Sequence, residues 1–147
     1  KVGNWIGPLL VDAAIKNVKT VILFGYHGKL IKLAGGIFHT HNHLADGRIE
    51  ILVYLAVKEN LPTKVIAELS HISTIEDALL FLESFNKSIA TKLFQNLSNM
   101  IEKRTFEYVN RYVKTDMKIA AIIFDRKRKI RWSGINGNDF ISYFQCG

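Results

Sequence analysis

The chain has 147 residues and is 48% hydrophobic, enough apolar material for one core without disulfide or metal staples. Its one cysteine, Cys146, is next to the last residue, which excludes an intrachain disulfide and argues against a catalytic thiol held in register. The net charge of +7 admits a nucleic acid, an acidic membrane surface or a polyanionic small molecule as partner, but no apolar run approaches the roughly 20 residues of a membrane span. The first residues also lack the layout of a signal peptide, so a cytoplasmic protein is expected.

Asn4 is expected to cap a helix that tolerates Pro8 in its first turn, points Leu9, Leu10, Ala13 and Ala14 inward and ends at Asn17. The run Val21, Ile22, Leu23 and Phe24 reads as a strand buried on both faces of a parallel sheet. A sharp turn through Gly25, Tyr26, His27 and Gly28 then leads to a helix over residues 29–34, which Gly35 and Gly36 terminate. Residues 37–45 are rich in histidine and lack a period, which predicts an ordered loop. Asp46 should cap a helix over residues 47–60 whose apolar face carries Ile49, Leu52, Val53 and Ala56.

Pro62 and Thr63 start a short helix to Ser70, and Thr74 with Asp77 resembles a capping box that opens another to Phe85. A long helix follows over residues 88–112, with Ile89, Leu93, Leu97, Ile101 and Tyr108 on one side. Residues 119–124 read as a second strand, 125–129 as a turn and 130–132 as a returning strand. From Ser133 onward glycine and asparagine predict a loose tail in which residues 140–144 can dock.

These elements define an α/β class: a Rossmann-like three-layer open sheet with several helices and a C-terminal strand hairpin, in a single domain over residues 1–147. Two clear strands and one short one are too few for the helices, so the sheet is expected to be incomplete here and to lack an upstream strand.

Ligands in open α/β sheets collect at the carboxyl ends of strands, which is where residues 25–29 fall. Glycines there let backbone approach a ligand, the first helix amides point outward, and Lys29 adds a full positive charge, so a carboxylate or phosphate is the natural guest. His39, His41 and His43 alternate and could share a metal ion with Asp46 if extended, whereas on a helix they would scatter by roughly 200° per step. Arg48 stands in the first turn of its helix, against the dipole, and calls for a carboxylate partner such as Glu50 or a ligand. Five of the six residues 126–131 are basic and read as a solvated hairpin tip. His71, Trp5 and Trp132 read as packing groups.

The run G-Y-H-G-K-L-I-K-L-A-G-G-I-F-H-T-H-N-H-L-A-D-G-R-I-E, residues 25–50, resembles the signature region of the CbiD family. Gly25, His27, Gly28, Lys29, Leu30, Lys32, Leu33, Ala34 and Gly36 carry its first part, and Thr40, His41, Ala45, Asp46, Gly47, Arg48 and Glu50 the rest. Gly3, Asn4, Trp5, Ile6 and Gly7 are similar to the family's Asn-aromatic-x-Gly loop. His39 and Asn42 stand where Asn and Ser are commoner, so of the alternating histidines His41 alone belongs to the pattern.

The resemblance implies the C-terminal part of a longer two-domain enzyme that transfers a methyl group from S-adenosylmethionine to carbon 1 of cobalt-precorrin-5B, giving cobalt-precorrin-6A in anaerobic cobalamin biosynthesis. It leaves open whether this part is active alone. Lys29, Lys32 and Arg48 would hold the acetate and propionate arms of the cobalt-containing tetrapyrrole, with Thr40, Asp46 and Glu50 beside them. His41 and His27 are the implied catalytic residues, orienting the ring or moving protons. Gly3, Asn4, Gly7, Gly25 and Gly28 would contact the methyl donor. No protein-bound metal, nucleic acid or membrane partner is expected, and a homo-oligomer is compatible. Two rival readings are a metal-dependent hydrolase built on His39, His41, His43 and Asp46, and a basic module binding nucleic acid through residues 126–131.

Overall fold

The computed structural model describes residues 4–41 and 46–145. Among them, six helices and three strands run in the order α1 (Ile6–Ile15), β1 (Thr20–Tyr26), α2 (His27–Ala34), α3 (Arg48–Lys58), α4 (Thr63–Ser70), α5 (Ile75–Tyr112), β2 (Lys118–Phe124), β3 (Ile130–Ser133) and α6 (Ile135–Gln145). β1 and β2 are parallel, in register from Thr20 with Lys118 to Tyr26 with Phe124, and β3 returns antiparallel along β2. A parallel pair needs a long crossover, which α2 to α5 supply. The α/β class and the C-terminal strand hairpin are both present.

Alternation places Ile119, Ala121 and Ile123 of β2, with Leu23 of β1, in the core, where Leu93, Phe94, Leu97 and Ile101 of α5 are fully buried. β1 corrects the expectation of burial on both faces. Leu23 is 5% exposed but Phe24 is 58% exposed, because α6 packs on β2 and β3 and leaves that face of β1 uncovered. Four apolar residues in a row do not reveal whether a layer covers each face of a strand.

The expected turn after β1 is also corrected, since the strand runs through Tyr26 and α2 starts at His27 with no loop between. Such a corner leaves little room. A Cβ on Gly25 would come within 2.9 Å of the Leu30 side chain, and one on Gly28 within 2.7 Å of the Tyr26 ring. At the other end of α2, Gly36 takes φ 77°, the left-handed conformation that stops the helix.

Asn4 does not cap α1. Trp5 occupies that position without a side-chain bond, while the Asn4 carbonyl and side-chain oxygens accept from Thr40 N and Oγ1, each at 3.3 Å. Leu10 and Ala14 turn inward as expected, but Leu9 is exposed.

The two helices expected on either side of residue 86 are present as the halves of α5, kinked where Asn86 adopts φ −165° and ψ 113°. The side-chain oxygen of Asn86 accepts from Ser88 N at 2.9 Å and Ile89 N at 3.1 Å, so it caps the second half. Thr74 makes half of its capping box: its Oγ1 accepts from Asp77 N at 3.1 Å, but the Asp77 carboxylate takes the Thr74 hydroxyl at 2.6 Å rather than the backbone.

The loose tail is corrected to α6. Its first amides are satisfied from afar: the Glu102 carboxylate accepts from Asn136 N at 3.0 Å and Gly137 N at 2.9 Å, and the Asn99 side chain accepts from Ile135 N at 3.1 Å. Among the described residues no helix is long and apolar enough to cross a membrane.

Candidate functional site

A pocket of about 390 Å³ opens at the carboxyl ends of the parallel strands, lined by Asn4, Tyr26, Gly28, Lys29, Lys32, Thr40, His41 and Arg48. Tyr26 ends β1, and α2 delivers Gly28, Lys29 and Lys32. The segment after α2 alternates as an extended chain does, with Thr40 buried and both His39 and His41 exposed, and a bridge to Trp5 holds it. Arg48 opens α3. Lys29, Lys32, Thr40, His41 and Arg48, drawn from three stretches of sequence, thus share one wall.

Lys32 is 1% exposed, and its Nζ donates to the Thr40 carbonyl at 3.3 Å. Burial pushes its pKa below the ordinary lysine value; Arg48 and Lys29 push the same way, and Asp46 opposes them. An ammonium held where water is scarce favours an anion beside it.

The carboxylate partner of Arg48 is Asp46, not Glu50. Nε reaches Oδ1 and Nη2 reaches Oδ2, both at 2.7 Å, the fork geometry of a bidentate pair. This hydrogen bonding holds the Asp46 carboxyl below its usual range and raises the guanidinium. Asp46 therefore does not cap α3, whose cap position is Gly47 with no side-chain bond. Asp46 and Glu50 instead line a neighbouring cavity of about 550 Å³ with Val53, Tyr54 and Ile72, and Arg48 borders both spaces.

His27 lies behind the pocket wall rather than in it. It is fully buried, meets the Glu76 carboxylate at 2.9 Å through Nε2, and packs against the rings of Tyr26, Phe94 and Trp132. Its Nδ1 has no hydrogen-bond partner among the described residues. Burial lowers its pKa, with Glu76 pulling against that shift. The Tyr26 hydroxyl makes a long 3.5 Å contact to the same Glu76 oxygen, and burial raises its pKa. Tyr26 and Glu76 are absent from the sequence-derived set. Tyr26 fell in a run read as a turn, and the fold brings Glu76 from 50 residues away.

Of the glycine positions, Gly28 and Asn4 beside it face the pocket, whereas Gly7 and Gly25 serve packing: a Cβ on Gly7 would come within 2.5 Å of the Tyr108 hydroxyl. Gly3 and His43 lie outside the described residues. His39 packs edge-on against Trp5 at 5.1 Å. No three His, Cys, Asp or Glu side chains among the described residues are grouped so that they could hold a metal ion.

Basic side chains, one of them buried, thus line a pocket at the strand ends of an α/β sheet. The family model described as CbiD, C-terminal domain, matches residues 39–134, and the chain belongs to the CbiD family. It is 79% identical over 145 residues to the cobalt-precorrin-5B C(1)-methyltransferase of Prochlorococcus marinus strain MIT 9215, a match that covers 99% of this chain and 39% of that protein. The protein of the same name from subsp. pastoris is 74% identical over 145 residues, again covering 99% and 39%. That from Prochlorococcus marinus strain SARG is 54% identical over 134 residues, covering 91% of this chain and 35% of the relative. The chain therefore spans about two fifths of the length of these relatives. No solved structure matches it.

Proposed function

We propose that this chain is the substrate-facing C-terminal part of a longer two-domain, cytoplasmic, S-adenosylmethionine-dependent enzyme that methylates carbon 1 of cobalt-precorrin-5B to give cobalt-precorrin-6A in anaerobic cobalamin biosynthesis. The observation that carries this reading is the meeting of Lys29, Lys32 and Arg48 on one pocket, in a chain 79% identical to proteins of that name. In the complete enzyme the three strands belong to a larger Rossmann-like, three-layer sheet.

The tetrapyrrole is ringed by acetate and propionate arms, which suit charge-assisted hydrogen bonds from Lys29, Lys32 and Arg48. Thr40 holds Asn4 and presents its carbonyl to Lys32, fixing the height of the ammonium in the wall. Asp46 sets the direction of Arg48, and Glu50 stands in the adjoining cavity. When bound, S-adenosylmethionine supplies an electrophilic methyl on sulfonium, so that a carbon–methyl bond forms as the sulfur–methyl bond breaks.

Such an in-line displacement depends on near-attack alignment and exclusion of water rather than on a covalent catalyst. His41, exposed at the pocket rim, orients the ring or moves its protons. His27 acts from behind the wall by fixing Glu76 against Tyr26, a positioning role. Asn4 and Gly28 are the donor-side residues that face the pocket, while Gly7 packs against Tyr108 and Gly25 against Leu30.

The test is methyl transfer from a labelled donor by the complete enzyme. Lys29→Ala and Arg48→Ala should each raise KM for the tetrapyrrole about tenfold, the loss of one charge-assisted contact. His41→Ala should lower kcat more than it lowers stability. Normal kinetics in all three variants would remove the site.

A further inference from the structure

A tetrapyrrole carrying arms on every ring is larger than a pocket of about 390 Å³, so much of its periphery must project past the rim. Two directions are open. Beyond Arg48 lies the cavity walled by Asp46 and Glu50, where carboxylate arms would meet carboxylates. Beside Tyr26 the strand ends lead to the turn between β2 and β3. Tyr26, which lines the pocket, pairs in register with Phe124, the last residue of β2, and the turn begins one residue later.

That turn is rigid. Asp125, 6% exposed, accepts from Lys127 N at 2.9 Å and Lys129 N at 3.0 Å through one side-chain oxygen, while its backbone closes on residues 128 and 129 at 2.9 and 3.0 Å. Arg128 takes φ 61°, a conformation a non-glycine residue adopts only when its surroundings hold it. Arg131 is committed elsewhere, to Glu83 at 2.5 Å and Asp125 at 3.4 Å. Arg126, Lys127, Arg128 and Lys129 are exposed and make no ion pair among the described residues. Four like charges held together on a braced turn repel one another, a cost that an anionic ligand would relieve.

We infer that the turn at Arg126–Lys129 is a second substrate contact, a cationic shelf that takes the peripheral carboxylates of the tetrapyrrole projecting from the pocket beside Tyr26. This rests on the proposed function. Exposed charges reach only about 8 Å at physiological ionic strength, so the arms must come to the shelf directly. Arg126 meets that condition best, standing two residues past Phe124, the register partner of Tyr26.

The test uses the complete enzyme, with uroporphyrin as an octacarboxylate probe and coproporphyrin as a tetracarboxylate one, titrated by fluorescence across a range of salt. Replacing the shelf by Arg126→Gln, Lys127→Gln and Arg128→Gln together should weaken the octacarboxylate at least about tenfold, change the tetracarboxylate far less and flatten the salt dependence, with the unfolding temperature unchanged. Unchanged octacarboxylate affinity in this variant, with Lys29→Gln still weakening it, would overturn the shelf and leave the proposed function standing. Failure of the unsubstituted enzyme to bind either porphyrin would overturn both. Tighter binding of a single-stranded oligonucleotide than of uroporphyrin, lost in the shelf variant, would assign the turn to nucleic acid instead.

Discussion

Arg48 grips Asp46 through two hydrogen bonds of 2.7 Å, and the guanidinium so held borders two cavities of opposite character. Both side chains are partly exposed, so the pair adds about 1 kcal/mol or less to stability. Its value is direction. Lysine keeps the charge but cannot form the fork. Arg48→Lys and Asp46→Asn should therefore each raise KM for the tetrapyrrole about tenfold while lowering the unfolding temperature by no more than about 4 °C. Steady-state kinetics beside a thermal melt separates the two effects, and an unaltered KM in both variants would show that the pair does not set the pocket.

Lys32 should show the opposite balance. Its folded pKa lies below the ordinary 10.5, so the charged side chain opposes folding at neutral pH, and that penalty is relieved as pH rises from the folded value toward 10.5. Lys32→Met fills the same space without charge. The variant should melt higher, lose the rise in stability on the alkaline side, and bind carboxylate ligands at least about tenfold more weakly. Calorimetry and ligand titration of one preparation check both halves; a less stable variant with intact binding would contradict the account.

The His27 and Glu76 pair predicts an acid limit. Burial holds the folded pKa of His27 below 6.5, so as pH falls beneath that value the unfolded chain takes up the proton first and stability declines until the folded pKa is reached. His27→Gln removes the group and should flatten this part of the profile. Glu76→Gln removes the carboxylate that opposes the shift, so the decline should extend to lower pH. Denaturant titrations at several pH values between about 7.5 and 5 follow the window. Parallel profiles for all three proteins would show that His27 does not titrate on unfolding.

Much of this was legible where cause and effect lie close along the chain. The four helices α1 to α4 and the kinked α5 appear from their apolar spacing, and the cationic wall follows from glycines and lysines placed after a strand. What the sequence concealed depends on contacts between distant segments. Phe24 reads as buried until α6 is seen to cover β2 and β3 instead, and Asp46 reads as a cap until Arg48 turns back to take its carboxylate. Tyr26 and Glu76, 50 residues apart, carry no shared local signal, and residues 135–145 look loose because their cap is not adjacent.

That distant cap gives the clearest test of the fold. Glu102, 7% exposed on α5, accepts from Ala121 N at 3.0 Å, Asn136 N at 3.0 Å and Gly137 N at 2.9 Å, so one carboxylate ties α5 to β2 and to the start of α6. Removing it strands three donors, two of them in buried residues, at roughly 1–3 kcal/mol for each of those two and less for the third, which water can reach. Glu102→Ala should cost about 3 kcal/mol, and Glu102→Gln should recover much of it, because the amide oxygen can keep Ala121 N and Gly137 N, which share Oε1, while its nitrogen faces Asn136 N alone. Gly134→Ala should behave similarly, since its Cβ would collide with the Glu102 carboxyl group. Amide exchange read by residue distinguishes local from global effects: protection should fall across residues 135–145 while the amides of residues 93–101 stay slow, and uniform loss along the chain would mean that Glu102 supports the whole core rather than the docking of α6.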